Sequence, residues 1–368
     1  MNKEKILLFI KIPPPLTGAT LMNKRVHESE LLRANFNIHS ILISYMSKRN
    51  EMGKWRVNKA YKTIIVLYKL IHELVLFKPR LIYFQLSPHG VAFLRDLFFV
   101  LIIKIFNVKI VYHMRGKGIK QKSKVKWKKI FYKFAFRNSD IICLSSLLTY
   151  DIEDVFNGTI HIVNNGIPDI ANCFSTKSQE NENYNVNILY LSNLKKSKGI
   201  LDFIEAMNLL NQRGLKFNAM IVGEEADLLS NDINKLIFTK KLNERIIFDG
   251  PKFDNEKYQI LAKSDIFVLP TKNECFPGVL LEAMQFQLPV ITTHEGAIPE
   301  IVDSEITGIL VDKNAPVQIA EKIEILINNP ELRKSMGKAG RRKFKKNYIL
   351  KRFEEKLNDV FYDILSKV

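Results

Sequence analysis

Twelve short apolar runs separated by longer amphipathic stretches mark out this 368-residue sequence, and that alternation restricts its fold more than any other feature. In the first half the runs are Ile6–Ile10, Ile38–Ile43, Leu81–Phe84, Lys109–His113, Ile141–Leu144 and Ile160–Val163. In the second they are Val186–Leu191, Phe217–Val222, Ile246–Phe248, Ile266–Leu269, Val290–Thr292 and Gly308–Val311. Continuous apolar runs of this length read as strands covered on both faces, and the helical patterns between them as crossovers. The pattern therefore predicts an α/β chain of parallel sheets built from right-handed strand–helix–strand units. Helices are predicted over Ala19–Asn35, Val57–Phe77 and Lys124–Phe136, among others. A long amphipathic helix is predicted over about Ile349–Ser366, with Leu350, Phe353, Leu357, Val360, Phe361 and Ile364 on one side. The polar segment Asp169–Tyr184 interrupts the alternation and reads as a hinge. Two tandem doubly wound domains are expected, 1–170 and 185–348, with the closing helix 349–368 packing back on the first. Such a pair would set a cleft between the carboxyl ends of two sheets, where ligands bind in this architecture.

At this length two ordinary cores are affordable. Nearly half the residues are apolar and about a quarter charged, which describes a globular rather than a disordered chain. No stretch reaches the roughly 18 apolar residues of a spanning helix; Leu97–Tyr112 comes nearest and is interrupted by Lys104, Asn107 and Lys109. The opening residues Met1–Ile10 lack a small-residue cleavage site and read as a first strand. Cys143, Cys173 and Cys275 are too few and too scattered for a disulfide framework or a metal-ligand spacing, which fits a reducing cytoplasm.

The net charge of +18 is lopsided. Residues 1–180 hold 29 Lys and Arg against 12 Asp and Glu, and the remainder holds 27 against 26. A basic first half points to a polyanionic partner, either nucleic acid or an anionic membrane surface. Its densest part, Arg115–Arg137, interleaves lysines with Trp127, Phe131, Tyr132, Phe134 and Phe136 at spacings a helix would partly segregate. That composition suits a peripheral membrane helix. The plainer alternative is a helix whose aromatics pack on their own sheet and whose lysines are merely solvated. No nucleic-acid recognition motif is present, so nucleic acid is not the expected partner.

The most chemically informative segment is Thr271–Met284, in which Glu274 and Glu282 bracket a loop turning into a helix between two apolar strands. Pro277 suits the first helical position, where a missing N–H costs nothing. The helix would then begin beside Gly278 and Val279, with free amides and the positive end of its dipole at a strand's end, an arrangement that holds a diphosphate. A Glu on a helix is usually solvated, but Glu282 stands among Val279, Leu280, Leu281, Ala283 and Met284, where a carboxylate needs a partner or a ligand. Three further loops follow strands. Lys11–Thr20 places Gly18 and Ala19 at a helix start. His113 ends a strand ahead of Arg115-Gly116-Lys117-Gly118. Ser192–Gly199 gathers Lys195, Lys196 and Lys198 where a phosphate would sit. The dinucleotide fingerprint and the P-loop lysine pattern are both absent.

Taken in order, these pieces resemble the retaining family-four glycosyltransferases (glycosyl transferases group 1), including bacterial surface-polysaccharide enzymes, over nearly the whole chain. The specific elements are the E-x7-E segment with Phe276-Pro277-Gly278-Val279-Leu280-Leu281-Glu282-Ala283-Met284, the Lys198-Gly199 loop and Gly296-Ala297-Ile298-Pro299-Glu300-Ile301-Val302. Asn165-Gly166-Ile167 and Gly308-Ile309-Leu310-Val311 are also similar. The resemblance implies a GT-B fold of two Rossmann-like domains and a nucleotide-sugar donor, UDP- or GDP-linked. It implies that Glu274 binds hydroxyls of the donor sugar and Glu282 the ribose. Lys198 would hold the diphosphate with the amides near Gly278 and Val279, flanked by Phe276 and Pro277. Gly18 would lie near the phosphates, and His113 at the reaction centre. No cofactor and no metal are implied, because lysine and helix dipole would carry the leaving group's charge. Retention would follow from same-face substitution, with the departing phosphate taking the acceptor's proton, and Glu274 would not be a general base.

One departure stands out. The family usually has an arginine in the loop before its lysine, and here the corresponding residue is Asn193, within Ser192-Asn193-Leu194. Lys195, Lys196 or Arg115 would have to supply the missing cation. The expected activity is transfer of a sugar from the nucleotide donor to a lipid-linked saccharide in surface-polysaccharide assembly, such as capsule or lipopolysaccharide O-antigen. The enzyme would work peripherally at the cytoplasmic face of the cell membrane. The alternatives are a nucleotide-sugar 2-epimerase of the same fold and a non-catalytic basic protein that binds membrane or nucleic acid.

Overall fold

The structure, a computed structural model, describes residues 3–43, 57–174 and 185–367. Residues 175–184 of the predicted hinge lie outside the described residues. The chain forms two compact units, one of residues up to Asn165 together with those from Lys351 onward, the other of Gly166–Leu350.

The first unit contains β1 (Lys5–Lys11), α1 (Gly18–Glu28), α2 (Glu30–Asn35), β2 (Asn37–Ile43), α3 (Val57–His72), β3 (Leu81–Phe84), α4 (Gly90–Ile105), β4 (Lys109–Met114), α5 (Ile119–Ser123), α6 (Lys126–Phe136), β5 (Ser139–Cys143) and β6 (Ile160–Ile162). Its strands form one parallel sheet in the order β2-β1-β3-β4-β5-β6. The predicted helix Ala19–Asn35 is two helices. Ser29 breaks it with extended backbone, and its hydroxyl accepts from the Leu32 amide at 3.4 Å. A serine that caps a new helix competes with continuation of the old one. The predicted helix Val57–Phe77 ends its α-helical part at His72 and closes through a wider turn over Glu73–Phe77.

The core of this unit lies between sheet and helices. Phe9 of β1 meets Phe84 of β3 and Phe99 of α4 edge to face, at 4.8 and 5.1 Å between ring centroids. Each such fully buried side chain contributes about 1.5–3 kcal/mol. Asp96, buried on the inner side of α4, receives Lys11 Nζ at 3.2 Å and the Ser87 amide at 2.9 Å, and it pairs with Arg95. Burial disfavours its charge, but Lys11 and Arg95 outweigh burial and hold the carboxyl below its ordinary pKa. The closing helix α14 (Leu350–Leu365) packs on the same sheet through Phe361, whose ring lies 5.8 Å from Phe36 and 5.7 Å from Tyr83.

The second unit contains β7 (Val186–Leu191), α7 (Ile200–Gln212), β8 (Phe217–Val222), α8 (Ser230–Thr239), β9 (Ile246–Phe248), α9 (Asp254–Lys263), β10 (Ile266–Leu269), α10 (Gly278–Gln285), β11 (Val290–Thr293), α11 (Ile298–Ile301), β12 (Gly308–Val311), α12 (Pro316–Asn328) and α13 (Pro330–Asn347). Its strands form a second parallel sheet, ordered β12-β11-β10-β7-β8-β9. The chain steps one way from β7 to β9, then returns to add β10 on the other side of β7. Neighbouring strands whose connections leave in opposite directions open a crevice at their carboxyl ends, and here those strands are β7 and β10.

Candidate active site

The loops that leave β7 and β10 are the ones carrying Lys198 and Glu274. After β7, residues Lys196–Lys198 make one tight turn and Gly199, at φ 76°, starts α7. A Cβ on Gly199 would stand 1.9 Å from the Pro270 carbonyl oxygen, so only glycine lets the two loops approach so closely. The seam is stitched by the Lys272 amide donating to the Ser197 carbonyl at 2.8 Å and by the Thr271 hydroxyl donating to the same oxygen at 3.2 Å. It brings Lys198 Nζ onto Glu274 Oε1 and to 3.3 Å from the Asn273 carbonyl. Both side chains are largely buried, 19% and 18% exposed.

A third loop, after β11, holds Glu274 from behind. Gly296 takes φ 58°, and a Cβ there would lie 2.4 Å from the Glu274 carbonyl oxygen. The Ala297 amide donates to the Cys275 carbonyl at 2.8 Å, and the Glu274 amide donates to Glu295 Oε1 at 3.4 Å. Glu295 is itself buried and paired with Lys313.

Pro277 occupies the position just before α10, at φ −73° and ψ 108°, and not the first helical position expected from the sequence. The helix therefore begins at Gly278 with extended backbone ahead of it. No side chain caps it, and apart from its chain neighbours and the helix's own backbone nothing lies within 4 Å of where a Gly278 Cβ would stand. The amides of Gly278 and Val279 thus form the positive end of an uncapped helix beside Lys198's partner Glu274. Phe276 is buried, its ring 6.0 Å from Tyr348.

Glu282 lies on α10 and is 8% exposed. Its Oε1 accepts from Lys257 Nζ of α9 at 2.7 Å, while Oε2 has no partner among the described residues. Lys257 also lies 4.7 Å from the centre of the Tyr258 ring. Burial works against its charge, but the Glu282 carboxylate and Tyr258 outweigh burial and raise the ammonium pKa above 10.5. Nothing in the sequence pairs Glu282 with Lys257, because α9 offers no periodic signal that separates this lysine from Lys263.

In the first unit His113 stands inside β4, which runs on to Met114, and is fully buried. Its Nδ1 lies 2.6 Å from the Tyr83 hydroxyl and 3.3 Å from Arg115 Nη2. A guanidinium only donates, so Nδ1 accepts and the imidazole proton resides on Nε2. That Nε2 is buried without a partner among the described residues. Burial, with Arg115 adding to it, holds the His113 pKa well below 6.5, so the ring is a neutral N–H donor. Gly18 begins α1, but the Thr17 hydroxyl accepts from the Thr20 amide at 3.1 Å and already caps that helix.

The Asn193 position is half-buried between β7 and Leu194, whose amide donates to the Glu224 carbonyl at 2.8 Å. Of the three cations considered in place of an arginine there, Arg115 is engaged within the first unit by Asn23 at 3.2 Å, Asn165 at 2.7 Å and Tyr83 at 3.2 Å. Lys196 is exposed, and Lys195 is half-buried on the same loop as Lys198. Among the described residues no group of three His, Cys, Asp or Glu is placed to hold a metal ion.

The profile of the family described as glycosyl transferases group 1 matches residues 174–343. An uncharacterized glycosyltransferase, MJ1178, of Methanocaldococcus jannaschii is 30% identical over 218 residues, 59% of this chain and 58% of that protein. The capsular polysaccharide biosynthesis glycosyltransferase CapM of Staphylococcus aureus is 30% identical over 187 residues, 50% of this chain and 48% of CapM. The chain spans about half the length of the curated relatives it matches. Among solved structures, Anabaena HepE in complex with UDP-glucose aligns over 98% of this chain and 99% of its own with a TM-score of 0.70 at 15% identity, a likeness that shows the fold. Both parallel sheets thus have the GT-B arrangement of strands and helices, and the part of this chain that holds Lys198, Glu274 and Glu282 is the part that matches the glycosyl transferases group 1 profile.

Proposed function

We propose that this chain is a retaining, metal-independent glycosyltransferase that moves a sugar from a UDP- or GDP-linked donor to a lipid-linked saccharide during surface-polysaccharide assembly. The observation that carries this reading is the meeting of Lys198 and Glu274 at the switch point between β7 and β10, beside the uncapped start of α10. A cation, two free amides and a carboxylate in one crevice match a diphosphate flanked by hydroxyl-bearing rings. Lys198 and the amides of Gly278 and Val279 would take the charge that develops on the leaving nucleoside diphosphate, with Lys195 in the role of the missing arginine. Glu274, released from Lys198 by the incoming phosphates, would accept from sugar hydroxyls. The unpartnered Oε2 of Glu282 would accept from the ribose. His113, neutral and with a bare Nε2–H, would donate to a sugar hydroxyl and not act as a base.

The capsular role of CapM supports the polysaccharide setting, and the UDP-glucose complex of HepE supports the donor class. No helix among the described residues is long and apolar enough to cross a membrane. The enzyme would meet its acceptor peripherally, at the cytoplasmic face, with the basic first half against an anionic lipid surface. Thermal-shift titration with UDP, GDP and their sugars tests the donor: one nucleotide class should raise Tm, and Lys198→Ala should abolish the rise. NMR of the product linkage tests retention. A protein that responds to none of these nucleotides, or a product of inverted configuration, would overturn the reading.

A further inference from the structure

Three helices of the first unit, α3, α4 and α6, connect strands that step the same way across the sheet, from β2 to β3, β3 to β4 and β4 to β5. Right-handed crossovers running in one direction lie on one face of a sheet, so the three helices share a face. Their outer sides are apolar. On α4 the residues Val91, Leu94, Phe98, Leu101 and Ile105 recur every three or four positions and are 40–69% exposed. They back onto Phe93, Phe99 and Ile103, which are buried in the core. A helix apolar on both sides is ordinarily covered on both sides. The stripe continues on α3 with Ile64 and Tyr68, 65% and 70% exposed, and on α6 with Trp127 and Ile130, 50% and 64% exposed. Scattered exposed apolar residues are normal, but an outward apolar stripe on each of three neighbouring helices marks an interaction surface.

The charges around it name the partner. Residues 57–137 contain eighteen Lys and Arg and two acidic residues, Glu73 and Asp96. Asp96 is buried and paired with Lys11 and Arg95, and Glu73 is bonded to His39 at 2.8 Å. The exposed lysines that border the stripes include Lys69 on α3 and Lys124, Lys126 and Lys133 around α6. Lys104 of α4 lies 5.6 Å from the centre of the Phe134 ring and donates to the Arg137 carbonyl, tying α4 to α6. A second copy of this chain would set lysine against lysine across the apolar seam. An anionic bilayer supplies both an apolar interior and the missing sign of charge.

We propose that the α3–α4–α6 face is a monotopic membrane-docking surface. Its apolar stripes enter the boundary between headgroups and acyl chains, about 5–10 Å deep, while the bordering lysines meet lipid phosphates. This deepens the proposal that the acceptor is lipid-linked and rests on it. It also separates insertion from mere electrostatic adsorption, which fades as salt shortens the screening length from about 8 Å at physiological ionic strength to about 3 Å at 1 M.

The test is co-sedimentation of the whole protein with phosphatidylglycerol-containing and pure phosphatidylcholine vesicles at 0.1 and 0.5 M salt. Wild type is expected on the anionic vesicles at both salts. Phe98→Ser with Ile130→Ser, both at exposed positions, should weaken binding at least tenfold at both salts with unchanged circular dichroism. Lys126→Gln with Lys133→Gln should weaken it on the order of tenfold at low salt and less at high salt. Neither pair should alter the thermal-shift response to nucleotide. Three results would overturn the docking face: wild type that ignores anionic vesicles, an apolar variant that binds as wild type does, or a wild-type dimer that the apolar variant converts to monomer. A wild type that docks but gives no nucleotide response would instead sink the transferase reading and leave the docking face standing.

Discussion

The Tyr83 hydroxyl lies 2.6 Å from Nδ1 of His113, on a neighbouring strand of the same sheet, and both groups are buried. This contact, with Arg115 behind it, fixes which ring nitrogen of His113 carries the proton and which way the ring faces. Tyr83→Phe removes that orientation and leaves His113 in place. Donor turnover is expected to fall on the order of tenfold with little change in nucleotide affinity, whereas His113→Ala should cost on the order of 10²–10³ in kcat. The split between kcat and Kd, measured by steady-state kinetics and calorimetry, checks it.

The same burial sets a pH dependence. The folded-state pKa of His113 lies well below 6.5, so below pH 6.5 the unfolded chain binds a proton that the folded chain refuses. The His113 contribution to stability is therefore complete above pH 6.5 and declines as pH falls, by up to about 1.4 kcal/mol per pH unit. Urea midpoints at pH 7.5 and 5.5 should show this slope in wild type and a smaller one in His113→Asn. Equal slopes would mean that the ring is charged or solvated in the folded protein.

Lys198 and Lys195 share a loop, and the proposed function gives them different roles. Lys198→Ala is expected to reduce kcat on the order of 10²–10³, the loss typical of one preorganised charge on a leaving group. Lys195→Ala should cost about tenfold, and Lys196→Ala, at an exposed position, less than twofold. Wild-type turnover in Lys198→Ala would remove it from the chemistry.

The Lys257–Glu282 pair is 19% and 11% exposed at its two side chains. Lys257→Met strands a buried carboxylate, which costs on the order of 2–3 kcal/mol once the remaining access to water is allowed for. Because the folded Lys257 pKa is raised above 10.5, the stabilisation is complete below pH 10.5 and is lost as pH rises through the folded value. Adding Glu282→Gln to Lys257→Met should recover part of the stability while leaving nucleotide affinity low. Denaturant midpoints and calorimetry of the three variants would show whether the lysine serves the carboxylate or merely the fold.

Gly296→Ala should lower both stability and donor affinity, since its Cβ would strike the Glu274 carbonyl oxygen at a left-handed φ. Gly250 has a similar φ of 64° with nothing within 4 Å. Gly250→Ala thus measures backbone strain alone, about 1 kcal/mol. An excess loss in Gly296→Ala, accompanied by a raised donor KM, reports displacement of Glu274. Equal losses in the two variants would mean that the Gly296 loop does not position it.

Residue order alone determined that this chain is α/β with parallel sheets, because strands covered on both faces must be apolar throughout and their crossovers must be amphipathic. It also singled out Glu282, since a carboxylate among Leu280, Leu281 and Ala283 is costly without a partner or a ligand, while Glu274 and Lys198 stood out through their resemblance to a known family's motifs. Local competition at chain breaks stayed hidden, as at Ser29, where one hydroxyl ends a helix that apolar periodicity would have continued. The placement of Pro277 before the helix and not inside it was hidden for the same reason. Only the tertiary structure decided the partners. The strand order, invisible in any local pattern, puts the loops after β7 and β10 side by side, so that residues 76 apart in sequence meet as Lys198 and Glu274. Lys257 reaches Glu282, and Tyr83 reaches His113, through contacts between elements whose sequences carry no mark of each other. Periodicity records whether a side chain is buried, and burial constrains residue type locally. Which charge answers which is settled by three-dimensional proximity, and that depends on the order in which strands enter the sheet.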